Sequence, residues 1–185
     1  MALHQGWVVL MKRKSVKYDT AKSGGWTNKS DDLFLAQYRG KPCEICGRRG
    51  GYDNGRKMPS AGHHLIFKGR CRKHRYNHKN IIVLCPHHHS HYADDCSPHS
   101  ITSTHAQHVF EEWVRVNKPE QYAWWMEHMP DMHKVYNDPM TPREWYVELG
   151  GEIANMDKPM KHWKPLNHKP KVDALVELNR QNGEG

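Results

Sequence analysis

Cys43-Glu44-Ile45-Cys46-Gly47 and, further along, Asn80-Ile81-Ile82-Val83-Leu84-Cys85-Pro86-His87-His88-His89 are the stretches that decide the fold. Two thiols at i and i+3 on a turn, with Gly47 just behind them, present both sulfurs to one metal ion. A tetrahedral site needs two more ligands, and Cys85 and His88 repeat the same spacing. Cys43, Cys46, Cys85 and His88 therefore make a Cys₃His zinc site that closes a loop of about forty residues. Cys96 and His87 are alternative ligands with poorer spacing. A redox Cys-x-x-Cys is the competing reading, but it wants a thioredoxin-like βαβ context that does not flank Cys43. The run Ile81–Leu84 is β-branched and apolar and feeds straight into Cys85, so it reads as a strand.

The bulk composition explains why a metal staple is needed. Only 37% of the 185 residues are hydrophobic and the mean hydropathy is −0.94, which argues against a large continuous core. Structural zinc binding supplies folding free energy where apolar burial is scarce. Lys and Arg outnumber Asp and Glu by 28 to 20, giving a formal charge of +8. Such an excess favours a polyanionic partner, because each phosphate contact releases condensed counterions. No apolar run is long enough to span a bilayer, and no signal-type segment follows the short apolar stretch Trp7–Met11. The expectation is a cytoplasmic protein with no membrane partner, in which five Cys serve metal binding or packing rather than disulfides.

Sixteen His residues are more than the zinc site uses. Gly62-His63-His64-Leu65-Ile66 precedes Asn80, and His89 follows the second knuckle. In this order the residues resemble the HNH endonucleases, which have the ββα-metal fold. That pattern runs from Cys-x-x-Cys to Asp-His or His-His on a first strand, then Asn before a strand ending in Cys, then His. The resemblance covers residues 42–93. It implies that His63 is a metal ligand, His64 the general base, Asn80 the residue that orients the base and ties down the loop, and His89 a second metal ligand. It further implies a metal-dependent hydrolase of DNA phosphodiester bonds of the kind found in phages and mobile elements. A zinc-binding nucleic-acid or protein adaptor and an RNA-directed nuclease are the alternatives.

The chemistry asked of those residues is consistent with their types. An imidazole titrating near neutrality can take a proton from water. One divalent cation, Mg²⁺ or Mn²⁺, can hold the scissile phosphate and compensate charge on the leaving oxygen. A His where Asp is common makes the ligand set softer, towards Mn²⁺, Ni²⁺ or Co²⁺. Adjacent strand residues point to opposite faces, so His63 and His64 share a site only through a bulge or twist, and either can be the base. Asn77 is a second choice for the middle Asn. Between His64 and Asn80 lies a basic insert, with Lys68, Arg70, Arg72, Lys73 and Arg75 expected to grip phosphates. Arg70 and Arg72 compete for the scissile phosphate itself.

Outward from this module, residues 1–30 read as a basic, flexible arm, and Ser30-Asp31-Asp32 as the capped start of a short helix ending at Gly40. A hairpin is expected around Gly62–Phe67 and a helix over Pro86–Ala93. Helices are expected from Thr104 to Asn117, from Pro119 to about Pro130, from the capped Thr141-Pro142-Arg143-Glu144, and over Val172–Asn179. The fold class is α+β, a treble-clef-like core over 31–100 with a helical extension over 101–150 and a basic tail over 151–185.

Overall fold

The computed structural model describes residues 25–53, 55–69, 71–133, 140–159, 162 and 164–182. Arg70 and most of the basic arm, residues 1–24, lie outside the described residues. The architecture is mixed α and β, with three small two-stranded sheets and five α-helices among the described residues. In chain order these are α1 (Trp26–Ala36), β1 (Gly50–Asp53), β2 (Arg56–Pro59), β3 (Ala61–His64), β4 (Ile81–Leu84), α2 (Thr104–Asn117), α3 (Pro119–His128), α4 (Pro142–Glu148), β5 (Ile153–Ala154), β6 (Lys164–Pro165) and α5 (Lys169–Gln181).

The half that carries the cysteine and histidine clusters is built on the antiparallel pair β3–β4, with His63 opposite Ile82 and His64 opposite Ile81. All four residues of β4 are buried, which explains its uninterrupted apolar reading. Its far side is covered by the first knuckle rather than by a strand. Glu44 donates its backbone N–H to Val83 O and accepts from Val83 N through Oε1, at 2.9 and 2.8 Å. Helix α2, capped by Ser103, lays Phe110 and Val114 against Ile82, Leu84, Cys43 and Cys85. Residues beyond the expected boundary at 100–101 thus pack on the module. The helix beyond it completes the core of the module, since a two-stranded ribbon cannot bury its face alone.

A second cluster joins the two ends of the chain. Trp26 and Leu33 of α1 pack on Tyr146 of α4 and Val172 of α5. Asn179 of α5 donates to the carbonyls of Ala36, Gln37 and Arg39, satisfying the open end of α1. The expected tail is thus an integral element from Lys169 onward, and longer than the apolar stretch Val172–Asn179 indicated.

Other expectations change for identifiable reasons. Helix α1 starts at Trp26, so the part of the arm from 26 to 30 is helical. Ser30 does not cap; its hydroxyl bonds Trp26 O and Pro142 O inside the helix packing. The connection after β3 is not a tight hairpin: Leu65 N bonds Asn80 O, and residues 65–80 form one long excursion between the paired strands. No helix forms over Pro86–Ala93, where the chain makes a single turn and continues irregularly to Ser103. Ser90, Ser97, Ser100 and Asp95 side chains bond nearby backbone groups there, offering the chain an alternative to helix. The hairpin β1–β2 has no counterpart among the sequence-based expectations. By contrast, α4 opens on the full reciprocal cap of Thr141 and Glu144 that its sequence announces. No helix among the described residues is long and apolar enough to cross a membrane.

Candidate active site and metal centres

Cys43, Cys46, Cys85 and His88 come together as their spacing predicts and can bind a metal ion. Cys43 Sγ and Cys85 Sγ lie 3.5 and 3.3 Å from His88 Nδ1, and Cys46 Sγ lies 3.8 Å from Cys85 Sγ. Gly47 takes φ of +74° so that its N–H can turn back on Cys43 O, at 2.7 Å. That left-handed turn is the reason a glycine follows the second thiol. Burial, reinforced by the neighbouring thiols, pushes Cys85 up to about 11. A bound cation would reverse that preference, since coordination requires the thiolate.

Behind this cluster stands a second one. His63 of β3, His89 of the knuckle turn and His99 of the irregular segment place one ring nitrogen each within 4.8 Å of the others. Their rings meet edge to face, at 4.6 Å for His63 with His99, 4.9 Å for His89 with His99 and 5.3 Å for His63 with His89. Phe110 closes the floor beneath His63. Burial first, and then repulsion from neighbouring imidazoles, hold all three below the usual histidine range: His99 and His89 act on His63, His91 on His89, and His89 and His91 on His99, which stands at about 4. Three neutral imidazoles with converging lone pairs are what a divalent metal needs. His63 and His89 stand out in the sequence; His99 does not. Its only advance signal is the surplus of histidines, because nothing in its spacing from His89 marks it.

His64 faces the other way. Its ring lies beside Phe34 of α1, and its Nε2 is 2.9 Å from Arg75 O. The alternation of a strand thus holds, without a bulge, and separates His63 from His64. As Arg75 O can only accept, Nε2 carries the proton and Nδ1 keeps its lone pair. Burial lowers the pKa of His64, an effect partly opposed by that hydrogen bond.

Asn80 is completely buried and spends its whole amide on the excursion. Oδ1 accepts from Ile66 N at 2.6 Å, while Nδ2 donates to Ile66 O at 3.1 Å and to His74 O at 2.9 Å. It therefore fixes the peptide just before the carbonyl that receives His64. Asn77, the other choice, caps the 3₁₀ turn His78–Asn80 through its side chain.

Cations of the basic insert make internal ion pairs. Arg75 makes a two-pronged pair with Asp31 of α1, at 2.7 and 2.6 Å, and Lys68 reaches the same carboxylate at 2.8 Å. Lys73 pairs with Asp131 at 3.3 Å. Asp31 and Asp131 are buried, and a buried carboxylate demands a cation. Lys68, Lys73 and Arg75 thus tie the excursion to α1 and to the segment after α3. Arg72 also has an internal partner, and it is half-buried. Exposed cations occur instead on the β1–β2 hairpin, where Arg56 and Lys57 sit with the 75% exposed Tyr52. This hairpin rests Gly51 on Pro86 of the second knuckle, and Asp53 is close enough to His89 to act on its charge.

Open grooves of about 470–490 Å³ include one along His78, Lys79, Lys118 and Gln121 and one along Tyr52, Asp53, His87 and Tyr92. Neither is lined by His63, His64, His89 or His99. No family model, curated protein or solved structure matches the chain, so the reading of the site rests on its own geometry.

Proposed function

We propose that the chain is a metal-dependent endonuclease that hydrolyses phosphodiester bonds in DNA, built on a ββα-metal core of the HNH type. The observation that carries this reading is the division of β3 into two chemical faces. His63 on one face belongs to a three-imidazole cluster with His89 and His99. His64 on the other has its ring proton committed to Arg75 O. Among the described residues strand β3 pairs only with β4, and no second strand lies on its outer edge. A phosphodiester laid along that edge meets metal ligands on one side and an imidazole base on the other.

The first cluster suits zinc. Sulfur ligands at 2.3 Å and nitrogen at 2.0–2.1 Å from a tetrahedral zinc lie about 3.8 Å apart for S–S and about 3.5 Å for S–N. The separations of 3.8, 3.5 and 3.3 Å agree with these values. At the imidazole cluster, a bound divalent ion would hold the scissile phosphate and compensate charge on the leaving oxygen. An all-imidazole set favours Mn²⁺, Co²⁺, Ni²⁺ or Zn²⁺ over the harder Mg²⁺. His64 Nδ1 takes the proton from the attacking water. Asn80 acts through the excursion, holding the carbonyls that fix the ring of His64. The +8 chain and the exposed Arg56 and Lys57 supply attraction for the backbone.

The test is cleavage of supercoiled, single-stranded and branched DNA, and of RNA, with Mg²⁺, Mn²⁺, Co²⁺ or Ni²⁺ added. Metal-dependent nicking of DNA that His64→Ala reduces about 10²-fold or more, with zinc and melting temperature unchanged, supports the reading. Binding without cleavage under every metal would make the chain a zinc-stapled adaptor. Cleavage confined to RNA would overturn the substrate assignment.

A further inference from the structure

A third cluster of ligand-type side chains lies apart from both centres. His74 comes from the excursion, His128 from the last turn of α3, and Asp131 from the 3₁₀ segment Met129–His133 that follows it. One ligand atom of each lies within 4.8 Å of the other two. His74 Nε2 is 2.9 Å from Asp131 Oδ2, and His128 Nδ1 is 3.9 Å from the same oxygen. The two imidazoles stack at 4.7 Å with 21° between their planes.

We propose that His74, His128 and Asp131 form a further binding site for a divalent transition metal, Zn²⁺ above all, that pins the excursion to α3. Two nitrogen or oxygen ligands on bonds of 2.0–2.1 Å at the tetrahedral angle stand about 3.3 Å apart, and 2.9 and 3.9 Å bracket that value. Two imidazoles with one carboxylate are a donor set for zinc and its neighbours rather than for calcium or magnesium. The surroundings are apolar: Trp124 stands edge-on to both rings, at 5.2 and 4.9 Å, and packs with Ile66 and Cys71. In such a setting a carboxylate strongly attracts a cation. Lys73 now sits 3.3 Å from Asp131 Oδ2, and its side chain, 43% exposed, can withdraw to solvent as metal enters.

The carbonyl of His74 receives Asn80 Nδ2, and the next carbonyl, Arg75 O, receives His64 Nε2. A metal on the His74 side chain would therefore stiffen the stretch of backbone on which the imidazole of His64 depends. The site itself stands whether or not the chain cuts DNA, so its test reads metal and not cleavage.

The full chain carrying His63→Ala and His99→Ala, which removes the imidazole cluster, is equilibrated with Zn²⁺, desalted and assayed for bound metal. Two equivalents are expected, one at the cysteines and one here. Adding His128→Ala, at a side chain 24% exposed, or Asp131→Asn should remove one equivalent. Co²⁺ taken up at this site should slow amide exchange of residues 71–76 by at least tenfold, and His128→Ala should abolish that protection. One equivalent in the parent, or two that persist in both added variants, would overturn the proposal.

Discussion

The ring of His64 is held by the backbone carbonyl of Arg75, 2.9 Å from Nε2, and the carbonyl one residue earlier is held by buried Asn80. A side chain 16 positions away in sequence thus holds the peptide next to the carbonyl that fixes the imidazole, without touching the ring. In the proposed nuclease Asn80 would then be a positioning residue, acting through the excursion that joins β3 to β4.

Replacing Asn80 by Ala strands the N–H of Ile66 and the carbonyls of Ile66 and His74 in a dry interior. Each buried group left unsatisfied costs about 1–3 kcal/mol, so a loss of at least about 2 kcal/mol in urea unfolding is expected. Asn80→Asp keeps the acceptor for Ile66 N but sets a buried carboxylate oxygen against the carbonyls of Ile66 and His74 with no cation beside it, and should be at least as destabilising as Asn80→Ala at neutral pH. In the proposed nuclease both variants should lose turnover while retaining the zinc of the cysteine cluster. Full activity in Asn80→Ala would remove the residue from the mechanism.

His99→Ala separates the proposed catalytic ion from the structural one. The variant should keep the metal bound by Cys43, Cys46, Cys85 and His88, yet need at least about tenfold more added metal for half-maximal cleavage, as one of three ligands is gone. His91, whose Nδ1 lies 3.1 Å from His99 O, helps hold the segment. His91→Ala should therefore show a weaker effect in the same direction. An unchanged metal requirement in His99→Ala would reduce the ligand set to His63 and His89.

His99 also shows where sequence reasoning reaches its limit. The cysteine cluster was legible because each half of it is local, two ligands three residues apart on one turn. His63 and His64 were legible as a pair on a strand, and strand alternation correctly sent them to opposite faces. His99 reaches its partners through irregular chain, and His74 meets the locally spaced pair His128 and Asp131 only across elements, where no period relates the positions. The ion pairs of the basic insert were not legible for a similar reason: its acidic partners, Asp31 and Asp131, stand on distant segments. The β1–β2 hairpin could be found, since Asn54-Gly55 between Tyr52-Asp53 and Arg56-Lys57 is a strong two-residue turn signal.

The hairpin provides a test of where DNA lies. Arg56 and Lys57 are exposed beside the second knuckle, while Lys68 and Arg75 are engaged with Asp31. Arg56→Glu with Lys57→Glu should weaken DNA binding at every sequence alike. If both side chains meet phosphates, the slope of log K against log salt should flatten by about 1.8, at about 0.9 for each phosphate no longer neutralised. Filter binding or fluorescence anisotropy across 50–200 mM salt measures this. A larger loss from Lys68→Ala than from the hairpin pair would restore the excursion as the main phosphate-binding element.

Asp31 offers a prediction about acid stability. Burial pushes its pKa up, but hydrogen bonds and charge from Arg75 and Lys68 outweigh that and hold it below 3.8. The folded value being depressed, the unfolded chain takes up the proton first as pH falls. The stabilisation is thus complete above 3.8 and drains away only as pH drops through the folded value. Asp31→Asn leaves the largely buried Arg75 without its carboxylate, a loss of about 3 kcal/mol by analogy with other broken buried pairs. The gap between variant and wild type in urea unfolding should stay flat from pH 8 to pH 5. A gap that already narrows between pH 7 and pH 5 would mean that Asp31 titrates there, and that Arg75 is not the partner holding its charge.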